Sequence, residues 1–469
     1  MRVAVVGGGI SGLTAAYQLT QARPDVEVLV LERGARVGGT ATSDVVDGFL
    51  VDRGPNGFLT NVPDAYNLSL ELGLADELLP AAEAAQKRFL YFRGGLVPVP
   101  TGPGELLRSP LLSVPGKLRM ALEPFLPAAD PEREESVHAF AARRLGREFA
   151  DVMVSPMVSG VSAGDARRSS LAALFPRMRR LETEHGGLVR GMLAQQRARR
   201  AARARGEAAG PAGGPGGPGG RLTSFRHGGA GRLTEALGRA LGERVRTGVT
   251  VERIEAGRER RLRLGPMGLE ADAVIVAAPA YAAATMLEQR APAAAEALAS
   301  IPYAGIRVVA LGFDAAAVSR PLDGFGFLVP PGQDLRILGA LWTSTLFPPQ
   351  APEGTVLVRA LGGGMRDPAF VQLPEDEAVA AVRGDLAKSL GITGEPAMTH
   401  VVTWTRGIPQ YTLGHRERVA AAAEAAAAVP GLALTGNAYR GIGLNDCIRD
   451  ARAVARDVAG KLAGRLAAG

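Results

Sequence analysis

Apolar residues first occur as an unbroken run, Val3 to Val6, and then change rhythm. A run that is apolar at every position fits a strand buried on both faces. After "GGGISG" the apolar positions of "LTAAYQLTQA" fall at helical spacing. Past the Pro24-Asp25 turn a second run, "VEVLVLE", follows. Strand, glycine turn, helix and strand within about 30 residues make a βαβ unit. From about Pro80 to Gly191 the pattern is mainly helical and broken by prolines, most clearly in "SVHAFAARRLGREFADVMVSPMVSGV". "GGAGRLTEALGRAL" predicts a turn opening into a helix. Strand patterns follow in "RVRTGVTVERIEA" and "LRLGPMGLEADAVIVAAP", with Val274 to Ala277 a short buried strand. "RVVALGF", "GFGFLVP", "RILGALW" and "TVLVRALGG" predict a second, largely antiparallel sheet. "THVVTWTRGIPQYTLGH" then leads to a helix, a last buried strand "LALTGN" and a C-terminal helix.

The opening unit is therefore interrupted twice and completed at the far end. The expected organisation is a discontinuous nucleotide-binding domain from 1–80, 221–290 and 401–469. A mainly helical part spans 81–196, a flexible Arg/Gly/Pro-rich loop 197–220, and a substrate sheet domain 291–400. A chain of 469 residues suits two or three packed units.

Composition changes this picture little: 46% hydrophobic and 22% charged residues are ordinary for a globular protein. The single cysteine, Cys447, excludes a disulfide within one chain and a cysteine metal cluster, and no metal is expected. Part of the net charge of +7 lies in "RARRAARARGEAAGPAGGPGGPGG", where no aromatic residue interleaves with the arginines, so nucleic acid is not an expected partner. Neither a signal peptide nor a membrane-spanning run of about 18 apolar residues is expected, which points to the cytoplasm.

The chemistry begins in the first turn. "GGGISG" gives Gly7, Gly9 and Gly12 as G-x-G-x-x-G between a strand and a helix. Gly7 permits the tight turn, Gly9 lets backbone approach a pyrophosphate, and Gly12 allows the helix to pack closely. Gly8, Ile10 and Ser11 complete the loop, and the helix N-terminus offers free N–H groups to phosphate. Glu32, at the end of the second strand beside Arg33, lies where a carboxylate accepts from both ribose hydroxyls of an adenosine and repels a 2′-phosphate. The next stretch, "RGARVGGTATS", holds Arg36, Gly38, Gly39, Thr40 and Ser43. It resembles the R-x-G-G-x-x-x-[ST] pattern of flavin-binding Rossmann-like proteins, which implies FAD. Gly54, Pro55, Asn56 and Gly57 form a third turn, placed to run along the flavin.

"KRFLYFRGGLVPVP", "SGVSAGDARRSSLAALFP", "GFGFLVP", "RGIPQYTLGH" and "GNAYRGIGLNDCI" occur in that order. Over essentially its whole length the chain resembles the oxygen-dependent protoporphyrinogen oxidases of heme biosynthesis. Coproporphyrinogen III oxidases share that scaffold, and amine oxidases are more distant members. The resemblance implies an α/β fold: a Rossmann-like FAD-binding domain, an antiparallel-sheet substrate domain and an inserted mainly helical domain. It implies an oxidoreductase acting on CH–CH groups, with one non-covalent FAD and O2 as acceptor. Protoporphyrinogen IX would lose six electrons in three hydride transfers, giving H2O2.

By the same resemblance, Arg88 pairs with a substrate propionate. The carbonyl of Gly160 faces the reacting carbon. Phe325 and Leu328 flank the macrocycle, and Leu341 and Ala360 line the same cavity. Trp404 lies beside the flavin and the backbone of Val251 meets the adenine. Gly436, Ile442, Gly443 and Leu444 return to the first domain, where a helix N-terminus would favour negative charge on the reduced ring. His138, His185, His227, His400 and His415 are scattered, and none is expected to be a base. Two positions depart from the pattern: Ser162, where an aromatic residue is usual, and Gly57, where serine is common. Peripheral membrane contact, on the cytoplasmic face of an inner membrane, is expected through Leu106 to Leu126. The family is compatible with a monomer or a homodimer.

Rival readings keep the cofactor and change the substrate. An amine oxidase would need an aromatic cage, for which Tyr439 is the candidate near the last loop. A carotenoid desaturase would have no use for Arg88. A flavin-binding structural protein would hold FAD without turnover.

Overall fold

The apolar run Arg2–Val6 is the middle strand of a five-stranded parallel sheet. In order, its strands are Val245–Arg246, Glu27–Leu31, Arg2–Val6, Ala273–Val276 and Leu432–Leu434. The computed structural model describes residues 1–130, 132–205 and 220–468. Burial on both faces explains the unbroken apolar runs. One face packs on the Ile10–Ala22 helix and the C-terminal helix Leu444–Ala468, with Leu13, Leu19, Ile448 and Ala451 between them. The other packs on the Ala280–Leu287 and Pro292–Ala299 helices. Each fully buried leucine in these layers adds about 2 kcal/mol. The last strand and helix thus lie beside the first turn, although more than 400 residues of chain separate them.

The second sheet has seven strands: Met398–Pro409, Tyr303–Asp314, Thr355–Gly363, Gly339–Trp342, Gly326–Leu328, Phe89–Phe92 and Gly95–Pro98. All neighbours are antiparallel except Gly326–Leu328 beside Phe89–Phe92. Two segments depart from the pattern reading. Residues 89–98, within a stretch read as mainly helical, are a β-hairpin turning at Arg93-Gly94. Met398–Pro409, grouped with the nucleotide-binding part, is an edge strand of this sheet. The four-residue strands of the hairpin carry too few residues for period-2 alternation to stand out.

One face of the large sheet buries Phe89, Tyr91, Phe327, Trp342 and Val358 against the Glu375–Leu390 helix. The other faces the nucleotide-binding part. Helices Val137–Leu145, Ser155–Ser162, Pro176–His185 and Leu188–Ala204 form a smaller layer with its own core. Residues 197–204, expected in a loop, continue the last of these helices. The rest of that expected loop, 206–219, lies outside the described residues. Among the described residues no helix is long and apolar enough to cross a membrane.

Candidate active site

The first turn is built from backbone. Gly7 has φ +112°, and a Cβ there would lie 2.8 Å from the carbonyl of Ala277. At Gly12 a Cβ would run into the carbonyl of Gly7, so the helix can sit on the turn only without a side chain. A Cβ on Gly9 meets nothing within 4 Å: that position faces open space. The Ile10–Ala22 helix has no side-chain cap and no acidic residue in its first turn, which leaves its N-terminal N–H groups to an anion. Gly38 donates to the carbonyl of Gly8 (2.7 Å) and Gly39 stands over Gly9, so the second glycine pair extends the same cradle.

Glu32 accepts from the N–H groups of Gly8 (2.6 Å) and Gly34 (2.7 Å). These bonds fix its carboxylate at the mouth of the turn, where a ribose would lie. Arg33 is exposed. Gly248 and Val249 donate to the carbonyls of Gly34 and Glu32, which holds the chain leading to Val251 alongside the acid. The Val251 side chain is buried in the core.

Arg36 pairs with Asp44 (2.9 Å), which also binds Arg53 (2.8 Å) and His400 (3.0 Å). Burial opposes ionisation of Asp44, but the hydrogen bonds from these three outweigh it and hold its carboxyl below the usual range. Gly54 fits against the carbonyl of Thr40 with no room for a side chain. Gly57, at φ +154°, fits likewise against that of Thr223, which explains why serine is absent there. Around this turn the Asn56 amide nitrogen, Arg53 Nε and Arg359 Nε are buried without partners among the described residues. Such orphaned donors fit a missing polar group. Open space at Gly9, free helix N–H groups, the fixed acid and these donors together suit FAD.

The opposite end of the chain closes the site. Gly436 and Gly441 take φ of +145° and +141°, and Gly443 opens the C-terminal helix, accepting from Cys447 N–H (3.0 Å). Ile442 is half-buried, while the Leu444 side chain enters the core. Asp446 lies in the first turn of this helix. Its carboxyl is raised by burial, although Arg449 and the Gly443 backbone oppose the shift. The positive end of the helix is thus partly offset by its own acid. Cys447 is buried, and burial pushes its thiol up to about 12, so it packs as a small apolar residue.

Across from these turns, strand pleat selects the residues that face the site. Leu328, Gly339 and Leu361 are cross-strand partners on one face, as are Leu341 and Arg359. Ile306 and Trp404 share that face through their own pairing. Trp404 Nε1 donates to the carbonyl of Arg53 (2.9 Å), which ties it to the third turn. Gly160 lies on the Ser155–Ser162 helix, where a Cβ would stand 2.7 Å from Leu328 Cδ2. The structure thus brings Gly160 and Leu328 together. Phe325 and Leu341 pack in one cluster, and the Arg88 guanidinium sits 5.2 Å from the centre of the Phe325 ring. Among the described residues Arg88 has no carboxylate partner. It touches solvent yet lies among protein atoms, and the lost hydration lowers its pKa.

Ala360 is the exception. It is fully buried among Val309, Phe327 and Trp342, on the far side of the sheet. Alternation along the strand turns its neighbours Arg359 and Leu361 to the site instead. Arg359 is buried and donates to the carbonyl of Gly54, and sequence reasoning missed it. Also missed were Met157 and Val161, exposed at helical spacing beside Gly160. Ser162 does not open the slot: it is buried, with its hydroxyl on the Val158 carbonyl.

The histidines stand apart. His138 pairs with Asp151 (2.8 Å), and His415 is buried against the Tyr411 ring. Tyr439, the candidate for an amine cage, is buried in the core. Among the described residues no group of acids, histidines and cysteine could hold a metal.

Geometry and comparison agree on the class. Residues 10–459 match the flavin-containing amine oxidoreductases, and the chain belongs to that family. It is an FAD-dependent oxidoreductase. Within the family, the coproporphyrinogen III oxidase of Bacillus subtilis is 32% identical, over 97% of each chain. The chloroplastic protoporphyrinogen oxidase of Oryza sativa is 33% identical over 95% of this chain and 86% of its own. A solved structure from Exiguobacterium, provisionally assigned as a protoporphyrinogen oxidase, superposes with a TM-score of 0.82 at 26% identity, covering 98% of this chain and 99% of its own.

Proposed function

We propose that the protein oxidises a porphyrinogen to the corresponding porphyrin in heme biosynthesis, with protoporphyrinogen IX as substrate and O2 as final acceptor. The observation that carries this reading is the Arg88 guanidinium, without a carboxylate partner among the described residues, on the Phe325 ring, which packs in one cluster with Leu341. A flat apolar macrocycle edged by carboxylates needs both features: apolar walls and a bidentate cation at one rim. FAD, when bound, would supply a two-electron acceptor that O2 reoxidises, O2 itself being reduced to H2O2. Three rounds remove six electrons and six protons, and three O2 become three H2O2.

The chain's own contribution is positioning. Arg88 grips a propionate. Leu328, Leu341 and Phe325 fix the plane of the ring, and the lack of a side chain at Gly160 lets Leu328 pack against the helix backbone. The Gly160 carbonyl is directed at the N–H or C–H edge of the substrate. No histidine is assigned a proton-transfer role.

Coproporphyrinogen III is the second reading, favoured by the name of the Bacillus relative. That substrate carries two further propionates. Purified FAD-loaded protein given each porphyrinogen in air separates the readings by the rise of porphyrin fluorescence. Faster turnover of protoporphyrinogen supports the first and faster turnover of coproporphyrinogen the second.

Membrane contact belongs to the same proposal. Leu107, Val114, Leu118, Leu122 and Phe125 are exposed, Phe125 by 79%, while Glu123 between them is 0% exposed. Glu123 accepts from Arg144 and from the N–H groups of Leu188 and Val189. The usual pattern is inverted: the acid anchors the segment inward and the apolar side chains face out, with Lys117 at their edge, as an interfacial segment requires. Sedimentation with anionic vesicles that is lost in Leu118→Asp/Phe125→Asp supports this contact. Protein that stays in the supernatant at low salt contradicts it.

A further inference from the structure

The segment Arg406 to His415 holds two consecutive buried side chains that the reaction as described leaves without a role. Gln410 Nε2 donates to the carbonyl of Ser162 (2.8 Å), a C-terminal carbonyl of the helix that carries Gly160. A helix ends with carbonyls lacking internal partners, and this bond satisfies one of them. Tyr411 Oη donates to the carbonyl of Asn437 (2.7 Å) and accepts from the N–H of Gly441 (2.8 Å). It thereby closes both ends of the loop that leads into the C-terminal helix. Gln410 and Tyr411 are 2% and 3% exposed, so neither bond competes with water. The chain turns tightly between the two, with Thr412 N–H donating to the Gln410 carbonyl (2.9 Å), and their side chains reach the two walls of the site through these separate bonds.

Its backbone makes the same link. Gln410 N–H donates to the Pro302 carbonyl, and Ser170 N–H to the Tyr411 carbonyl. The Tyr411 ring stacks on buried His415 at 3.9 Å.

Resting on the porphyrinogen reading above, we infer that Gln410 and Tyr411 are positioning residues that together set the gap between the substrate wall and the flavin. Gln410 fixes the Gly160 helix, and Tyr411 fixes the 437–441 loop. Neither touches the reacting atoms.

The test compares two near-isosteric variants as FAD-loaded enzymes. Tyr411→Phe keeps the stack and removes the hydroxyl. The expected result is a shifted visible flavin spectrum, a more negative flavin potential and faster amide exchange at 436–441, with KM for the porphyrinogen within about twofold of wild type. Loss of the hydroxyl's two buried hydrogen bonds predicts an FAD affinity lower by about tenfold. Gln410→Met is expected to raise KM by about fivefold to tenfold, the same bond energy read on the other wall, with flavin spectrum and potential unchanged. Tyr411→His, which restores a donor, should recover part of the flavin signature.

Parallel changes in both readouts for both variants, or no change in either, overturn the inference. If Tyr411→Phe does not fold, Gln410→Met decides alone: a KM change without a potential change supports the inference, and linked changes overturn it. Spectrum, potential and exchange need no porphyrinogen. A wild-type enzyme inert toward porphyrinogens therefore sinks the substrate reading separately, while the Tyr411 readouts still decide its half.

Discussion

The two walls of the site are made of different material. The flavin wall is backbone: Gly7, Gly9, Gly12, Gly38 and Gly54 place N–H and C=O groups by leaving side chains out. The proposed substrate wall is side chain, with Leu328 and Leu341 projected from one face of a sheet and Arg88 on the Phe325 ring beside them. A dinucleotide has the same phosphates in every protein, so a fixed backbone turn suffices. A substrate differs from enzyme to enzyme, and exchanging side chains on an unchanged pleat alters specificity without rebuilding the fold.

The largest test of this contrast pits two glycines of one turn against each other. Gly12→Val drives a side chain into the Gly7 carbonyl and is expected to cost more than about 4 kcal/mol, read as loss of folded protein in thermal unfolding. Gly9→Ala meets no protein atom within 4 Å and has extended backbone (φ −78°). It should melt with the wild-type apoprotein yet bind FAD about 100-fold more weakly, since its methyl takes the place of phosphate. Normal FAD affinity in Gly9→Ala breaks the contrast.

On the substrate wall, Arg88→Leu should raise KM about 10-fold to 100-fold, the worth of a charge-assisted bidentate contact, with the flavin spectrum unchanged. Arg88→Lys should recover part of the loss. A shifted flavin spectrum would place Arg88 on the other wall.

A smaller effect lies in acid. Burial, and then nearby Arg418, lower the His415 pKa to about 4. The unfolded chain takes up this proton near the ordinary value of about 6.5 and the folded one only near 4. Stability is therefore complete above pH 6.5 and declines as pH falls toward 4. One pH unit below the ordinary value the loss is about 1.4 kcal/mol. Denaturant melts of wild type and His415→Gln across that range should converge toward low pH, and a constant difference between them contradicts the assignment.

The smallest effect tests strand parity. Leu361→Ala should change KM by about threefold, the worth of a partly exposed methyl contact or two. Ala360→Gly should leave KM alone and cost about 1 kcal/mol of stability.

Legibility in the sequence follows the same division. Gly7, Gly9, Gly12 and Glu32 were readable because a residue type that supplies only backbone freedom, and an acid at fixed spacing, have few other reasons to occur together. The parallel runs at Val3 to Val6 and Val274 to Val276 were readable because burial on both faces leaves an unbroken pattern. Ala360 was not: a small apolar residue suits either face of a strand, and only the register with Ala340 shows which. The hydrophobic pattern did not set residues 89–98 apart from the helical stretch, because four-residue strands between prolines and glycines carry too little alternation. The contact of Gly160 with Leu328 joins residues far apart in sequence, and spacing holds no trace of it. Gln410 and Tyr411 stood in a noticed motif, but the carbonyls they serve became visible only with the fold.

The most direct test mixes FAD-loaded protein with either porphyrinogen in the absence of oxygen and follows the visible flavin band. The account predicts that the band bleaches as each FAD takes the first two electrons, and that it returns together with porphyrin fluorescence when air is admitted. A band that stays unchanged with both porphyrinogens, in protein shown to hold FAD, would contradict it.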